Sequence, residues 1–268
     1  MAFGAVSAET PAITPHQVIS LFNGKDLSCF YTWLELHRRD DPDQVFTVID
    51  QIDGGPAIRI SGQQMGGIIT KQRYANYRLV AQFRWGHLTW GARKKLKRIS
   101  GILLHCQGED GNYKPDFSGA WMRSVEYEIM EGGTGDIILV GGYERGRTER
   151  IWPLLRATVR PGPRAPLWSP EGAVAEFGAG KAGRIYWRHK DPEQIDITGF
   201  RGRADVERPV GEWNDIVALC DGGNIAFFLN GEQVNGGTAG TFKEGAIEFQ
   251  SEGAEIYFRH LELHPIER

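Results

Sequence analysis

Short apolar runs set off by Gly, Asn or Asp recur along nearly the whole chain, and this punctuation constrains the fold more than any other feature. They fall at residues 45–49, 57–60, 67–70, 77–85, 101–106, 125–130, 137–140, 215–220, 225–229, 246–250 and 256–263. Runs of this length are too short for core helices, and their spacing is that of an antiparallel sandwich or barrel. Asp221-Gly222-Gly223-Asn224 and Asn230-Gly231 supply hairpin turns between the later runs. Glycine, at 35 residues, is about twice the usual share of roughly 7%, which suits many tight turns. Helical periodicity is scarce. Only residues 15–21, with Thr14 as a cap, and a turn around 31–38 read as helical.

The expected organisation is one β-sandwich over residues 16–268, preceded by a lead-in at 1–15 that is disordered or the remnant of an export signal. The small residues at the end of the first eight fit a cleavage region, and the expected location is periplasmic or secreted. No apolar run of about 18 residues is present, so no membrane span is expected. Residues 145–210 carry seven of the prolines and few strand signals; they read as ordered loops walling one side of a cleft. A formal net charge of −3 gives no electrostatic reason to expect nucleic acid, and the basic stretch 93–98 reads as a solvated loop. No nucleotide cofactor is expected, and the sequence leaves the oligomeric state open. Cys29, Cys106 and Cys220 are too far apart for a CxxC metal site and read as buried free thiols.

Within this frame the run 124–131, Ser-Val-Glu-Tyr-Glu-Ile-Met-Glu, is chemically unusual. Side chains at i and i+2 of a strand share a face, so Glu126 and Glu128 project together from an otherwise apolar strand. A carboxylate pair there implies a partner or a use: a general acid, a general base or a hard cation. The bland alternative is a structural pairing with Arg123, Arg147 or Arg150.

Six motifs in order extend the picture: Leu21-Phe22-Asn23-Gly24-Lys25-Asp26-Leu27; Ser100-Gly101-Ile102-Leu103-Leu104-His105; the 124–131 strand with Gly135-Asp136; Gly211-Glu212-Trp213-Asn214; Leu229-Asn230-Gly231; and the run from Gly245 to Gly253. Together they resemble the 3-keto-disaccharide hydrolase family from about residue 18 to 266. The resemblance implies a concanavalin A-like jelly-roll sandwich acting on carbohydrate, with members that cleave glycosides already oxidised at the sugar C3. The family usually has Gln where this chain has Glu128. The Glu126-x-Glu128-x-x-Glu131 spacing is also similar to the acidic strand of laminarinase-type retaining glycosidases, in which the first and last carboxylates act as nucleophile and acid/base. A non-catalytic carbohydrate-binding module is the contrasting class.

For a 3-keto-glycoside the ketone acidifies the C2 hydrogen, so a base near C2, an electrophile at the ketone oxygen and an acid for the leaving oxygen suffice. Glu126 is expected as the base, with His105, Glu131 and Glu128 as catalytic partners. His105 and Glu131 are also the expected ligands of a divalent metal acting as Lewis acid. Trp121 is expected to stack on a sugar ring, and Gln250, Glu252 and Lys190 to contact substrate. Asp136 reads as a turn residue.

Overall fold

The computed structural model describes residues 10–180 and 183–267. Two antiparallel eight-stranded sheets make up most of it. One runs Glu232–Gly237, Asn224–Leu229, Asn214–Asp221, Tyr77–Thr89, Ala254–His264, Gly55–Ile60, Phe46–Ile52, with Ile19–Ser20 paired to Ala254–His264. The other, the acidic sheet, runs Gly183–Ile185, Ile137–Val140, Arg123–Met130, Ile99–Gln107, Glu244–Ser251, Gly66–Thr70, Phe30–Leu34, with Tyr74–Ala75 attached to Glu244–Ser251. Neighbouring strands in sequence switch sheets repeatedly, so the chain closes a jelly-roll sandwich, as the strand punctuation and the resemblance both imply.

Alternation along each strand sorts residues between the sandwich core and the outer faces. In Arg123–Met130, Val125, Tyr127 and Ile129 join the core with Phe83, Trp85, Phe227, Phe249 and Phe258. Tyr127 lies flat on Phe227, ring centres 4.3 Å apart, and donates its hydroxyl to the Phe228 carbonyl at 2.9 Å. The intervening Ser124, Glu126 and Glu128 therefore face away from the core, yet they too are buried. A second apolar cluster on this outer face, Ile69, Leu103, Cys106, Met122 and Ala246, is flanked by Tyr31, Trp33 and Trp121.

Every run read as a strand from sequence falls on one, with ends shifted by a few residues. Both glycine turns form as expected, Asp221 pairing with Asn224 and Leu229 with Glu232; Asn230 and Gly231 both have positive φ, the backbone a two-residue hairpin of this kind requires. The helical expectations fail. Residues 31–38 lie across Phe30–Leu34, a strand whose Phe30 and Leu34 enter the core while Tyr31 and Trp33 cross to the outer face. Residues 15–21 instead supply the short strand Ile19–Ser20, because Leu21 is buried and its N–H donates to the Leu261 carbonyl. The only helical turn among the described residues is the 3-10 segment Gly91–Lys94. Residues 10–15 of the expected lead-in are docked: Ile13 bridges Tyr74 through hydrogen bonds to Arg73 and Ala75. The first nine residues of that lead-in, with the cleavage-like small residues, lie outside the described residues. Among the described residues no helix is long and apolar enough to cross a membrane.

The proline-rich excursion holds more regular structure than loops: a three-stranded sheet of Leu155–Arg160, Leu167–Trp168 and Ala173–Phe177, and the strand Gly183–Ile185 that extends the acidic sheet. Ala173–Phe177 is exposed along most of its length, Val174 included, so its short apolar stretch marks no core strand. The excursion is pinned by Glu207, whose buried carboxyl accepts hydrogen bonds from Trp85 Nε1 and Thr134 Oγ1, both at 2.8 Å. Burial, with Asp205 adding to it, pushes the Glu207 carboxyl up to about 8 from an ordinary 4.5. The folded chain therefore keeps a proton across that interval which the unfolded chain releases, and this contribution to stability is lost as pH rises from about 4.5 to about 8. Glu207→Gln retains an acceptor for Trp85 and removes the ionisation. Unfolding free energy measured against pH should fall less steeply over this window in the variant, with the largest gain over wild type above pH 8.

Candidate functional site

The outer face of the acidic sheet is built in rows. Ile138, Glu126, Leu103, Glu248, Ile69 and Tyr31 are successive cross-strand partners in one row. In the next, Glu128 opposes Gly101, and Gln250, Gly67 and Trp33 follow as successive partners. The glycines open the floor. Glu126 Oε1 and Gln250 Oε1 each sit 2.6 Å from where a Gly101 Cβ would be, so they approach within twice that distance of one another, and any side chain at 101 would displace both. Glu248 Oε1 is likewise 2.6 Å from where a Gly67 Cβ would be. Glu126 and Glu248 flank Leu103 across two strand spacings, about 9.5 Å at Cα.

Glu128 is fully buried and is held by Arg184, Nη2 to Oε1 at 2.8 Å. Arg184 also reaches Asp136 at 3.3 Å, and Asp136 takes the ammonium of Lys190 at 2.7 Å and the Trp187 N–H at 2.9 Å. A relay of alternating charges thus runs Glu128, Arg184, Asp136, Lys190 along the edge of the sheet. Burial opposes the Arg184 cation, but Glu128 and Asp136 more than compensate and raise its pKa.

Among the described residues, Glu126 and Glu248 have no such partner, and Glu252 has only a distant one. Burial, then the neighbouring Glu128 and Glu252, hold Glu126 well above the ordinary carboxyl range, with Arg184 opposing. Burial does the same to Glu248, against one hydrogen bond from the Met122 N–H at 3.3 Å. Burial raises Glu252 to about 7, opposed by Arg93 at 3.8 Å. Glu128 is also raised, burial outweighing Arg184. Four polar atoms of this region are buried without a hydrogen-bond partner: Glu128 Oε2, Glu248 Oε1, Gln250 Oε1 and Trp121 Nε1. Such atoms are costly unless a ligand or water meets them. The arrangement can hold a proton on one carboxyl, accept one on another, and hydrogen-bond a polyhydroxylated ligand between them.

Of the residues expected from sequence, Glu126, Glu128, Gln250 and Trp121 share this face, and Glu252 lies at its end, near enough to act on Glu126. Lys190 lines a 180 Å³ cavity beside Met130 and Arg184, with its ammonium committed to Asp136. His105 and Glu131 go elsewhere. A register shift after Leu104, with His105 at φ 55°, turns the imidazole into the core, where it packs edge-on to Tyr77 and donates Nδ1–H to the Phe242 carbonyl at 3.0 Å. Burial lowers its pKa to about 4, so it is neutral. Glu131 falls on the other parity because the register through Glu126–Met130 is unbroken, and its carboxylate pairs with Arg98 at 2.8 Å and accepts the Gly199 N–H. The laminarinase arrangement, which needs Glu131 beside Glu126, is therefore not formed. His105 and Glu131 lie at opposite ends of the antiparallel pair Ile99–Gln107 and Arg123–Met130 and do not fit a shared divalent cation. Among the described residues no group of three His, Cys, Asp or Glu is placed to hold a metal.

Sequence reasoning missed Glu248, Asp136 and Arg184. Glu248 lies in the same Gly245–Gly253 motif as Gln250, two residues before it and so on the same face of the strand. Asp136 and Arg184 carry no local signal, since only pairing across Ile137–Val140 and Gly183–Ile185 brings them to Glu128. The thiols of Cys106 and Cys220 are free and buried as expected, whereas Cys29 is half-buried. Arg184→Met should destabilise the fold by about 1–3 kcal/mol, because it strands a buried carboxylate. Glu128→Gln added to it should recover part of that loss in a double-mutant cycle read by chemical unfolding.

The sequence matches the 3-keto-alpha-glucoside-1,2-lyase-like domain over residues 17–264. No curated protein matches the chain. Among solved structures, two crystal structures of Parabacteroides distasonis proteins provisionally named glycosyl hydrolases are similar. One is 18% identical, covering 94% of each chain at a TM-score of 0.49; the other is 17% identical, covering 93% of this chain and 100% of that one, also at 0.49. A carbohydrate-binding module of Bacillus subtilis is similar at 10% identity, with 81% and 91% of the two chains covered and a TM-score of 0.41. With nearly its full length inside the family match, this chain belongs to the 3-keto-alpha-glucoside-1,2-lyase-like domain family.

Proposed function

We propose that the chain cleaves a glycoside already oxidised to a ketone at C3, on the outer face of the acidic sheet, with Glu126 as the base. The observation that carries this reading is the buried carboxyl cluster around Gly101, in which Glu128 is held by Arg184 while, among the described residues, Glu126 and Glu248 have no ion-pair partner. Glu126 takes the C2 proton. The electron pair of that C–H bond becomes the C1–C2 double bond as the C1–O bond breaks, and the leaving oxygen receives a proton. The products are a conjugated enone and the free alcohol or phenol; addition of water to the enone would complete a net hydrolysis.

Glu248, whose proton burial retains, supplies the acid on the side of Leu103 away from Glu126. Arg184, in place of His105, acts on Glu126 and would offset negative charge developing at the ketone oxygen, and Gln250 and Trp121 offer hydrogen bonds to hydroxyls. A buried carboxyl suits this base role. It is unreactive while protonated, and once ionised it is more basic than an exposed one.

Glu126→Gln should lower kcat on a 3-keto-glucoside by about 10²–10⁴-fold while changing substrate affinity only a few-fold. Loss of affinity with turnover intact would favour the binding-module reading. The 3-keto sugar should be cleaved and the unoxidised glucoside, assayed beside it, should not; cleavage of the unoxidised sugar alone would overturn the assignment. Because only ionised Glu126 is competent, kcat/KM should rise with pH, with an acidic limb displaced well above the ordinary carboxyl range. A limb near 4.5 would place the base elsewhere.

A further inference from the structure

We propose that a cavity adjoining Glu248 receives the leaving group and selects leaving groups that carry a negative charge. This rests on the glycoside-cleaving reading above. The cavity, about 780 Å³, opens on the same outer face at the Tyr31–Trp33 end. Its floor is continuous with the site: Met122, which donates its N–H to Glu248, lines it together with Cys106 and Ala246 of the outer apolar cluster. Tyr31 stands two strand spacings from Glu248 in the same row, about 9.5 Å, which is within reach of a single substituent ring.

The charges of this cavity run against those of the chain. The molecule carries a net −3 and the catalytic trough is acidic, yet five cations line the cavity, Arg38, Arg39, Lys71, Arg73 and Arg145. Among the described residues the acids there number three: Glu109, Asp110 and Asp116. Arg39 pairs with Asp110, Arg145 with Glu109 at 2.8 Å, and Arg73 with Glu244 at 3.4 Å. Asp116 is spent on the Ser118 N–H and hydroxyl of its own turn. Among the described residues, Arg38 and Lys71 have no carboxylate partner; Arg38 donates to the Glu35 carbonyl.

The aromatic walls do not offer open faces to a neutral ring. Arg39 lies over Tyr31 at 4.1 Å, Arg38 over Trp33 at 5.4 Å, and Arg145 over Phe117 at 4.5 Å. What they present is guanidinium, and Lys71 adds an ammonium to the lining. A substrate lying along the face would thus meet carboxyls at the sugar and cations at the far end of its leaving group, a gradient that orients an anionic aglycone and disfavours the reverse pose.

Two aryl 3-keto-glucosides that differ in charge alone, 4-carboxyphenyl and 4-carbamoylphenyl, test the idea on the intact protein. At low ionic strength kcat/KM should favour the carboxylate roughly tenfold, and the ratio should shrink toward unity as salt approaches about 1 M. Lys71→Glu, at an exposed position, should abolish the preference. Equal rates, or a preference for the amide, would overturn the proposal and leave the proposed reaction standing. If neither compound is cleaved, the reaction assignment fails instead, and the cavity is judged by calorimetry with 4-hydroxybenzoate and 4-hydroxybenzamide. Tighter, salt-sensitive binding of the benzoate that Lys71→Glu removes would uphold the anion site; equal binding would refute it.

Discussion

Glu128 has no exposure to solvent, and the outer face of the acidic sheet is arranged around that constraint. A carboxyl taken out of water needs a cation or a proton, and here Arg184 supplies the cation. Arg184 reaches Glu128 only because Gly183–Ile185 adds to the sheet beyond Ile137–Val140, which gives the proline-rich excursion a structural purpose. Asp136 then balances Arg184, and Lys190 balances Asp136. With Arg184 committed in this way, burial and the acidic neighbours of Glu126 favour its protonated form.

That asymmetry turns a row of carboxyls into distinct chemical roles. Two glutamates on one strand, two residues apart, would behave alike in water. Packed here, one is ion-paired and the other is not, and Glu248, two strands away, is raised by burial as Glu126 is. Gly101 and Gly67 let these side chains fold down over the sheet where larger residues would hold them apart. The core beneath, with Tyr127 stacked on Phe227, fixes the strand so that the outer carboxyls cannot exchange faces without unpacking the sandwich.

Much of this was legible in the residues. The strand runs, both glycine hairpins and the shared face of Glu126 and Glu128 follow from local patterning, and the ordered motifs led to the family. What patterning misjudged has identifiable causes. His105 was read by proximity to a motif, but a register shift with positive φ turns its ring into the core beside Tyr77. Glu131 was read by its spacing from Glu126, but an unbroken register gives an odd separation the opposite face, where Arg98 takes it. Residues 31–38 lacked alternation strong enough to outweigh a helical reading, since Tyr31 and Trp33 are aromatic like the core residue Phe30 beside them.

The sequence by itself determined the strands, the turns and which carboxyls share a side, because these depend on the two-residue period of a strand and on the backbone freedom of glycine and asparagine. Only the tertiary structure decided which of those carboxyls keeps a proton. That depends on desolvation and on a cation, Arg184, that lies 56 residues from Glu128 along the chain and meets it only when the excursion closes onto the edge of the sheet.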